Sequence, residues 1–278
     1  MRIKLLALDI DGTLLNSQHK LTPRTIQSVQ RVVEAGVQVV LVTGRRFHAA
    51  RPFAAELGLQ LPLITHNGAL TKNAETLEVI NYHPLDGELA RELVLLGRHY
   101  QADTLCCDDP VGEGFIVFDQ ISPENLRLRR YLDLYREYAR EVSDLYSYIE
   151  NAPIQIFYCG PCAPMDRLMQ RLESELTDRA KLTVTTYPAG DMTILDVINP
   201  ICSKGSGLEY LATSLNIVRE EIMAIGDNRN DLEMLSYAGL PVVMENAEAS
   251  LKGYGFVTTA SNDADGVAEA IDRFIFQL

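Results

Sequence analysis

Positive charge is scarce in this sequence. Its 278 residues carry 25 Lys and Arg against 38 Asp and Glu, a net charge of −13. A surface of that sign repels nucleic acid and anionic membranes, so neither is an expected partner. It would also repel a phosphorylated ligand, unless local cations or a metal reverse the field inside a site. Cysteine is sparse too: five residues, an odd number without framework spacing, exclude a disulfide scaffold and point to free thiols in a reducing cytoplasm. No apolar run approaches the ~20 residues of a membrane span, and the N-terminus lacks a signal-peptide profile. Repeats and low-complexity segments are missing as well. What remains is an ordinary globular composition, 47% apolar and 23% charged, with enough length for one large domain or two moderate ones.

The chain is organised around Lys4 to Leu15, KLLALDIDGTLL. Leu5, Leu6, Ala7 and Leu8 show no period-two alternation, which predicts a strand buried on both faces of a parallel sheet. The run stops at Asp9-Ile10-Asp11-Gly12-Thr13. In open α/β sheets chemistry collects just beyond the carboxyl ends of the strands. Two carboxylates placed there repel each other unless a hard divalent cation sits between them. Asp9 could then serve as a nucleophile. The plainer alternative is a turn after a strand, since Asp and Gly are turn formers. A calcium loop fits poorly, because Gly is fourth and not sixth and Lys20 takes the twelfth position where a Glu is needed.

Downstream, Thr22-Pro23 marks a helix start, with Ile26, Val29, Val32 and Val33 at helical spacing and Ala35-Gly36 at the end. VQVVLVTGR gives a second buried strand ending at Thr43-Gly44-Arg45, Ala49 to Leu57 another helix, and LPLITHNGAL a third strand ending near Asn67-Gly68. This β-α-β-α-β start predicts a doubly wound parallel sheet, an α/β Rossmann-like core. From 84 to 190 short strands (103–107, 114–118, 154–159, 182–187) alternate with helices, which predicts an inserted α+β module. Core segments would then cover 1–83 and 191–278, with the α/β rhythm resuming at MTILDVI (192–198). A helix from Lys204, a strand from Glu221 to Ile225 ending at Gly226-Asp227, the strand LPVVM and a helix near Val267–Phe276 complete the expected core.

Four strand ends thus carry polar groups: Asp9 with Asp11, Thr43-Gly44, Ser203-Lys204-Gly205, and Gly226 to Asp231. Together they meet the needs of phosphoryl transfer. Thr43 and the backbone amides of Ile10 and Gly44 supply donors, Lys204 a balancing cation, and Asp227 a further carboxylate for a metal. Asn230 would donate to the phosphate, and Asp231 would support the metal's water shell. Taken singly each has a bland reading as a turn, a surface lysine or a helix cap; the combination at strand ends of one sheet favours the site.

DIDGTLL (9–15), VTGR (42–45), NGA (67–69), SKG (203–205), GDNRND (226–231) and MENA (244–247) together resemble the motifs of haloacid dehalogenase superfamily phosphatases of the Cof-type branch. The resemblance spans about 170 core residues at both ends of the chain. It implies Asp9 as a nucleophile that becomes an aspartyl-phosphate, and Asp11 as the acid/base. It also implies Mg2+ held by Asp9, the backbone carbonyl of Asp11 and Asp227. Thr43 and Lys204 would orient and neutralise the phosphoryl group, with Ile10, Gly44, Asn67 and Asn230 lining its site. The substrate would be a small phosphorylated metabolite such as a sugar phosphate, a phosphorylated cofactor or a nucleotide. A related phosphosugar mutase, and a non-catalytic sensor of a phosphometabolite, are the alternatives. Glu245 departs from the family, which often has Gly before the Asn-Ala pair. The inserted module resembles the family's cap domain, which supplies substrate contacts.

Several cap residues carry weaker signals. Asp108 to Glu113 and Tyr187 are candidates to face a substrate, whereas Arg127, Arg129, Arg130 and Arg136 read as a solvated helical face. Cys159-Gly160-Pro161-Cys162 has the local order of a thioredoxin redox motif. With no Trp before it and Pro164 close behind, it reads as structural. Cys106 and Cys107 read as core packing. His48 and His66 lack Cys or His partners at metal-site spacing and read as packing or rim residues.

Overall fold

The computed structural model describes residues 2–187 and 190–278, so Pro188 and Ala189, beside the expected end of the inserted module, lie outside the described residues. In chain order the elements are β1 (Leu5–Leu8), α1 (Pro23–Glu34), β2 (Gln38–Leu41), α2 (Phe47–Leu57), β3 (Leu63–Thr65), β4 (Leu70–Lys72) and β5 (Val79–Tyr82). Then come α3 (Gly87–His99), β6 (Asp103–Asp108), β7 (Phe115–Phe118), α4 (Leu126–Leu134), β8 (Ala139–Glu141), α5 (Leu145–Tyr148), β9 (Gln155–Gly160), α6 (Cys162–Leu176), β10 (Lys181–Tyr187) and β11 (Met192–Ile198). The chain ends with α7 (Lys204–Ser214), β12 (Ile222–Gly226), α8 (Leu232–Tyr237), β13 (Leu240–Met244), α9 (Ala249–Lys252), β14 (Val257–Thr259) and α10 (Gly266–Ile271). It divides into two compact units, Met1–Asn81 with Ser203–Leu278, and Tyr82–Cys202. Among the described residues no helix is long and apolar enough to cross a membrane.

The first unit holds a five-stranded sheet in the order β14-β13-β12-β1-β2, parallel throughout. All four residues of β1 are fully buried, as the missing alternation predicts for a strand covered on both faces. One core layer gathers Leu5 and Ala7 with Val40, Val42, Ile64, Leu208, Leu211 and Ala224. Helix α1 starts as its sequence dictates: the Thr22 side chain accepts from the Thr25 N–H and Pro23 occupies the first turn. The chain leaves β1 toward β2 on one side and leaves β12 toward β13 on the other. The ends of β1 and β12 therefore flank a topological switch point, where α/β sheets bind ligands. A small sheet, β3-β4-β5, meets the chain just past β2 through a single parallel bridge between Val42 and Ile64.

The second unit carries a six-stranded sheet in the order β10-β11-β9-β6-β7-β8, antiparallel except for the β7–β8 pair. Alternate residues Cys106, Val117, Ile156, Tyr158, Leu195 and Val197 face Leu89, Leu93 and Val94 of α3 and Leu168 and Leu172 of α6. The period-two pattern of these strands matches a sheet with helices on one face.

One expectation is corrected here. MTILDVI, read as the return of the core, is β11, and it pairs antiparallel with both β9 and β10 inside the second sheet. A short apolar run shows that a strand is buried and carries no record of which sheet buries it. The core unit resumes eleven residues after Met192, at Ser203. Helix α6 begins at Cys162 and takes Pro164 into its first turn, where proline is tolerated.

Candidate active site

Asp9 follows β1 directly and is 3% exposed. Its backbone N–H continues the sheet by donating to the Ile225 carbonyl of β12. Past it the chain turns through Gly12, whose φ is +77°. A Cβ there would stand 2.2 Å from Asp227 Oδ2, so only glycine lets the two loops approach. Thr13 Oγ1 donates to Asp227 Oδ1 at 3.1 Å and Asn246 Nδ2 donates to the Gly12 carbonyl at 2.8 Å, fixing both loops side by side.

Lys204 opens α7 behind a capping box formed by Ser203 and Ser206. Its Nζ donates to Asp9 Oδ1 and to Asp231 Oδ1, both at 2.6 Å, in a setting where Lys204 is 2% exposed and Asp231 fully buried. Burial opposes the charge on Lys204. The carboxylates of Asp231 and Asp9 outweigh that penalty and hold its pKa above the usual lysine value. Asp231 Oδ2 meanwhile accepts the N–H groups of Asp227 and Asn228, both at 2.9 Å. Asp231 thus has both oxygens engaged, bracing the loop after β12 and anchoring the lysine.

Carboxylate oxygens of Asp9, Asp227 and Asp231 all lie within 4.8 Å of one another, the one such cluster of metal-ligating side chains among the described residues. Burial, and then the neighbouring carboxylates, push Asp9 well above the usual carboxylate range despite the pull of Lys204. Burial and the charge of Asp231 raise Asp227 to about 7. Three carboxylates against one ammonium leave this pocket short of positive charge. An all-oxygen donor set of that sign could hold a hard divalent cation.

Asp11 lies apart from this cluster in its bonding. Its carboxylate is gripped by the Arg45 guanidinium in two parallel bonds, Nε to Oδ2 at 2.7 Å and Nη2 to Oδ1 at 2.6 Å. Thr43 is buried after β2, and its Oγ1 accepts the Arg45 N–H at 3.1 Å, leaving the hydroxyl proton to donate elsewhere. Asn67 sits at φ +53° in a tight turn and accepts Asn230 Nδ2 at 2.9 Å. A Cβ on Gly44 would stand 2.9 Å from Asn67 Oδ1, so this glycine lets the amide approach the loop. Asn230 therefore has one of its two amide protons engaged, and its Oδ1 is buried without a partner among the described residues. Ile10 is buried between the two aspartates.

The sequence reading assigned no role to Arg45 or Asn246, although both lie in the motifs it singled out. The residue types carried the signal, a guanidinium two residues from Thr43 and an amide after β13. Their partners Asp11 and Gly12 are distant in sequence. Elsewhere, all five cysteines are free thiols, Cys106 and Cys107 are buried in β6, and Arg127, Arg129, Arg130 and Arg136 are exposed. His48 is buried in α2, where burial and Arg46 lower its pKa to about 4, and neither His48 nor His66 belongs to a metal-ligating cluster among the described residues. Glu245 is exposed.

Comparison with known proteins agrees with this geometry. Residues 6–271 match the family of haloacid dehalogenase-like hydrolases. The HMP-PP phosphatase of Serratia proteamaculans is 31% identical over 90% of this chain and 86% of its own. The 5-amino-6-(5-phospho-D-ribitylamino)uracil phosphatase YitU of Bacillus subtilis is 26% identical over 97% of both chains. A crystal structure of a haloacid dehalogenase-like hydrolase from Bacteroides thetaiotaomicron superposes with a TM-score of 0.84 at 28% identity, covering 98% of this chain and 99% of that one. By motifs, fold and relatives alike, the chain belongs to the haloacid dehalogenase-like hydrolases and is a phosphatase of their Cof-type branch.

Proposed function

We propose that this phosphatase hydrolyses phosphomonoesters of small metabolites through an aspartyl-phosphate on Asp9, with Mg2+ as its cofactor. The observation that supports the reading is the buried Lys204 bridging Asp9 and Asp231 beside Asp227, a cation among carboxylates that would serve as nucleophile and metal ligands. Asp9 Oδ2 is the oxygen not held by Lys204, and it would attack phosphorus in line with the departing ester oxygen. Lys204 would balance charge on the equatorial oxygens, and the Thr43 hydroxyl with the Ile10 and Gly44 amides would donate to them. The second Asn230 amide proton would complete that cradle, with Asn67 holding it in place. Asp11 would give its proton to the leaving oxygen and then take one from the water that opens the acyl-phosphate. Asp9, Asp227 and the Asp11 carbonyl would hold Mg2+, which when bound neutralises the carboxylates and polarises the phosphoryl group. Monoester hydrolysis is among the slowest uncatalysed reactions, which is why one site gathers all of these groups.

Relatives named as phosphatases of HMP-PP and of a phosphoribitylamino-uracil support a small phosphorylated metabolite as the substrate class. The net charge of −13 gives no support to a nucleic acid or an anionic membrane as partner. A complete set of Asp9, Asp11, Thr43, Lys204 and Asp227 also favours turnover over mere sensing. The test is phosphate release from a panel of phosphorylated metabolites, with Mg2+ and with chelator, for wild type and Asp9→Asn. Chelator-sensitive release that vanishes in Asp9→Asn is expected. Silence of a folded, Mg2+-binding protein across the panel would contradict the reading and favour the mutase or the sensor.

A further inference from the structure

We infer that Arg45 is a positioning residue for the acid Asp11, and that its two-pronged grip sets how well the enzyme expels poor leaving groups. The inference rests on the reading of Asp11 as the acid/base and adds the group that aims it. Among the described residues, Arg45 is the only hydrogen-bond partner of the Asp11 carboxylate. That carboxylate is 42% exposed, so without the pair nothing in its own loop selects one rotamer. Paired bonds at 2.7 and 2.6 Å fix both its direction and the plane of the carboxyl group.

Arg45 is itself held from several sides, as an aiming device must be. Its N–H donates to Thr43 Oγ1, its carbonyl accepts the His66 N–H at 3.0 Å, and its guanidinium lies 4.9 Å from the centre of the Phe53 ring on α2. The same Thr43 hydroxyl is a phosphate donor in the proposed mechanism. One short segment, Thr43 to Arg45, therefore carries both a donor of the phosphate cradle and the side chain that grips the acid. Lys204 contributes nothing to this: its bonds go to Asp9 and Asp231.

The step at stake is simple. A P–O bond forms to Asp9 as the P–O bond to the leaving group breaks, and the Asp11 carboxyl proton moves onto the departing oxygen, leaving an alcohol and the Asp11 carboxylate. An alkoxide needs that proton, whereas 4-nitrophenolate leaves without it. Misaiming the acid therefore penalises alkyl phosphates and spares 4-nitrophenyl phosphate. kcat/KM reports events up to and including this step, independently of how fast the acyl-phosphate is later hydrolysed.

The experiment measures kcat/KM for an alkyl monophosphate and for 4-nitrophenyl phosphate in wild type, Arg45→Lys, Phe53→Leu, Asp11→Asn and the Arg45→Lys/Asp11→Asn double variant, all with saturating Mg2+. Lysine keeps the charge and loses the fork. In Arg45→Lys the alkyl phosphate is expected to lose about 10²-fold and 4-nitrophenyl phosphate at most about threefold. Phe53→Leu gives the same contrast at smaller amplitude. In the double variant, Arg45→Lys adds no contrast beyond that of Asp11→Asn. The ratio between two substrates on one preparation is insensitive to the fraction folded. Equal losses on both substrates in Arg45→Lys would overturn the inference and make Arg45 a phosphate or structural ligand. If Asp11→Asn itself shows no contrast, the reading of Asp11 as acid falls and takes the inference with it. If Asp11→Asn shows it and Arg45→Lys does not, the inference alone falls.

Discussion

Two ion-pair assemblies meet at the end of β1, and they are built on opposite terms. Lys204 with Asp9 and Asp231 is closed off, the three side chains being 2%, 5% and 0% exposed. Arg45 with Asp11 is open, at 22% and 42%. A buried pair is costly to break because it strands an unpaired charge in a dry setting. A half-exposed pair is worth little to stability, although a two-pronged one still sets direction. The difference fits the roles proposed for the two aspartates. The nucleophile and its balancing cation must not move as phosphorus passes between oxygens, whereas the acid must reach the substrate, give up a proton and then meet water.

The comparison can be broken most sharply at Asp9. Asp9→Asn is expected to lower phosphatase activity by about 10⁴-fold or more, since the proposed nucleophile is gone. It should not lower the thermal midpoint, because burial already penalises the Asp9 carboxylate and Lys204 keeps Asp231. A clear drop in midpoint by calorimetry would contradict the account of this pocket. Lys204→Met comes next: activity should fall roughly 10²–10³-fold and unfolding stability by about 3 kcal/mol in urea titration, as two buried carboxylates lose their cation. Loss of activity without loss of stability would mean that the buried assembly is not held by that charge.

In the unfolded chain Asp227 ionises near the ordinary value of about 4, while in the folded metal-free protein it holds its proton to about 7. Between those values the folded state binds the extra proton, so metal-free stability falls as pH rises through this window and levels off above it. A divalent cation favours the ionised form, so the midpoint gain from Mg2+ should be small at pH 5 and larger at pH 8, read by differential scanning fluorimetry with and without chelator. Equal gains at both values would remove Asp227 from the metal site. The smallest effect belongs to the open pair: Arg45→Lys should change unfolding stability by less than about 0.5 kcal/mol. A loss as large as that of Lys204→Met would erase the distinction between the two assemblies.

Much of this was legible in the sequence where local pattern decides the outcome. Leu5 to Leu8 announced a strand buried on both faces, and Thr22-Pro23 a helix start; both are found. Placing Asp9, Asp227 and Lys204 at element ends was enough to expect them together, because the C-terminal edge of a parallel sheet collects its loops. What escaped depends on partners far apart in the chain. The strand at 192–198 reads the same in either sheet, and only its pairing with β9 and β10 assigns it to the second unit. Asp231 is expected beside the metal's water shell; that its oxygens take Lys204 and two backbone amides depends on the tight turn after β12. Arg45 lies 34 positions from Asp11, and nothing in VTGR names the carboxylate it takes.

The central claim, covalent transfer to Asp9, is tested most directly in a single turnover. Enzyme in excess over a 32P-labelled substrate with Mg2+ is quenched in acid within milliseconds, digested and mapped. The account predicts label on the peptide carrying Asp9, lost on treatment with hydroxylamine and absent from Asp9→Asn. Free labelled phosphate formed at the wild-type rate with no protein-bound label at any time, or label on another residue, would contradict it.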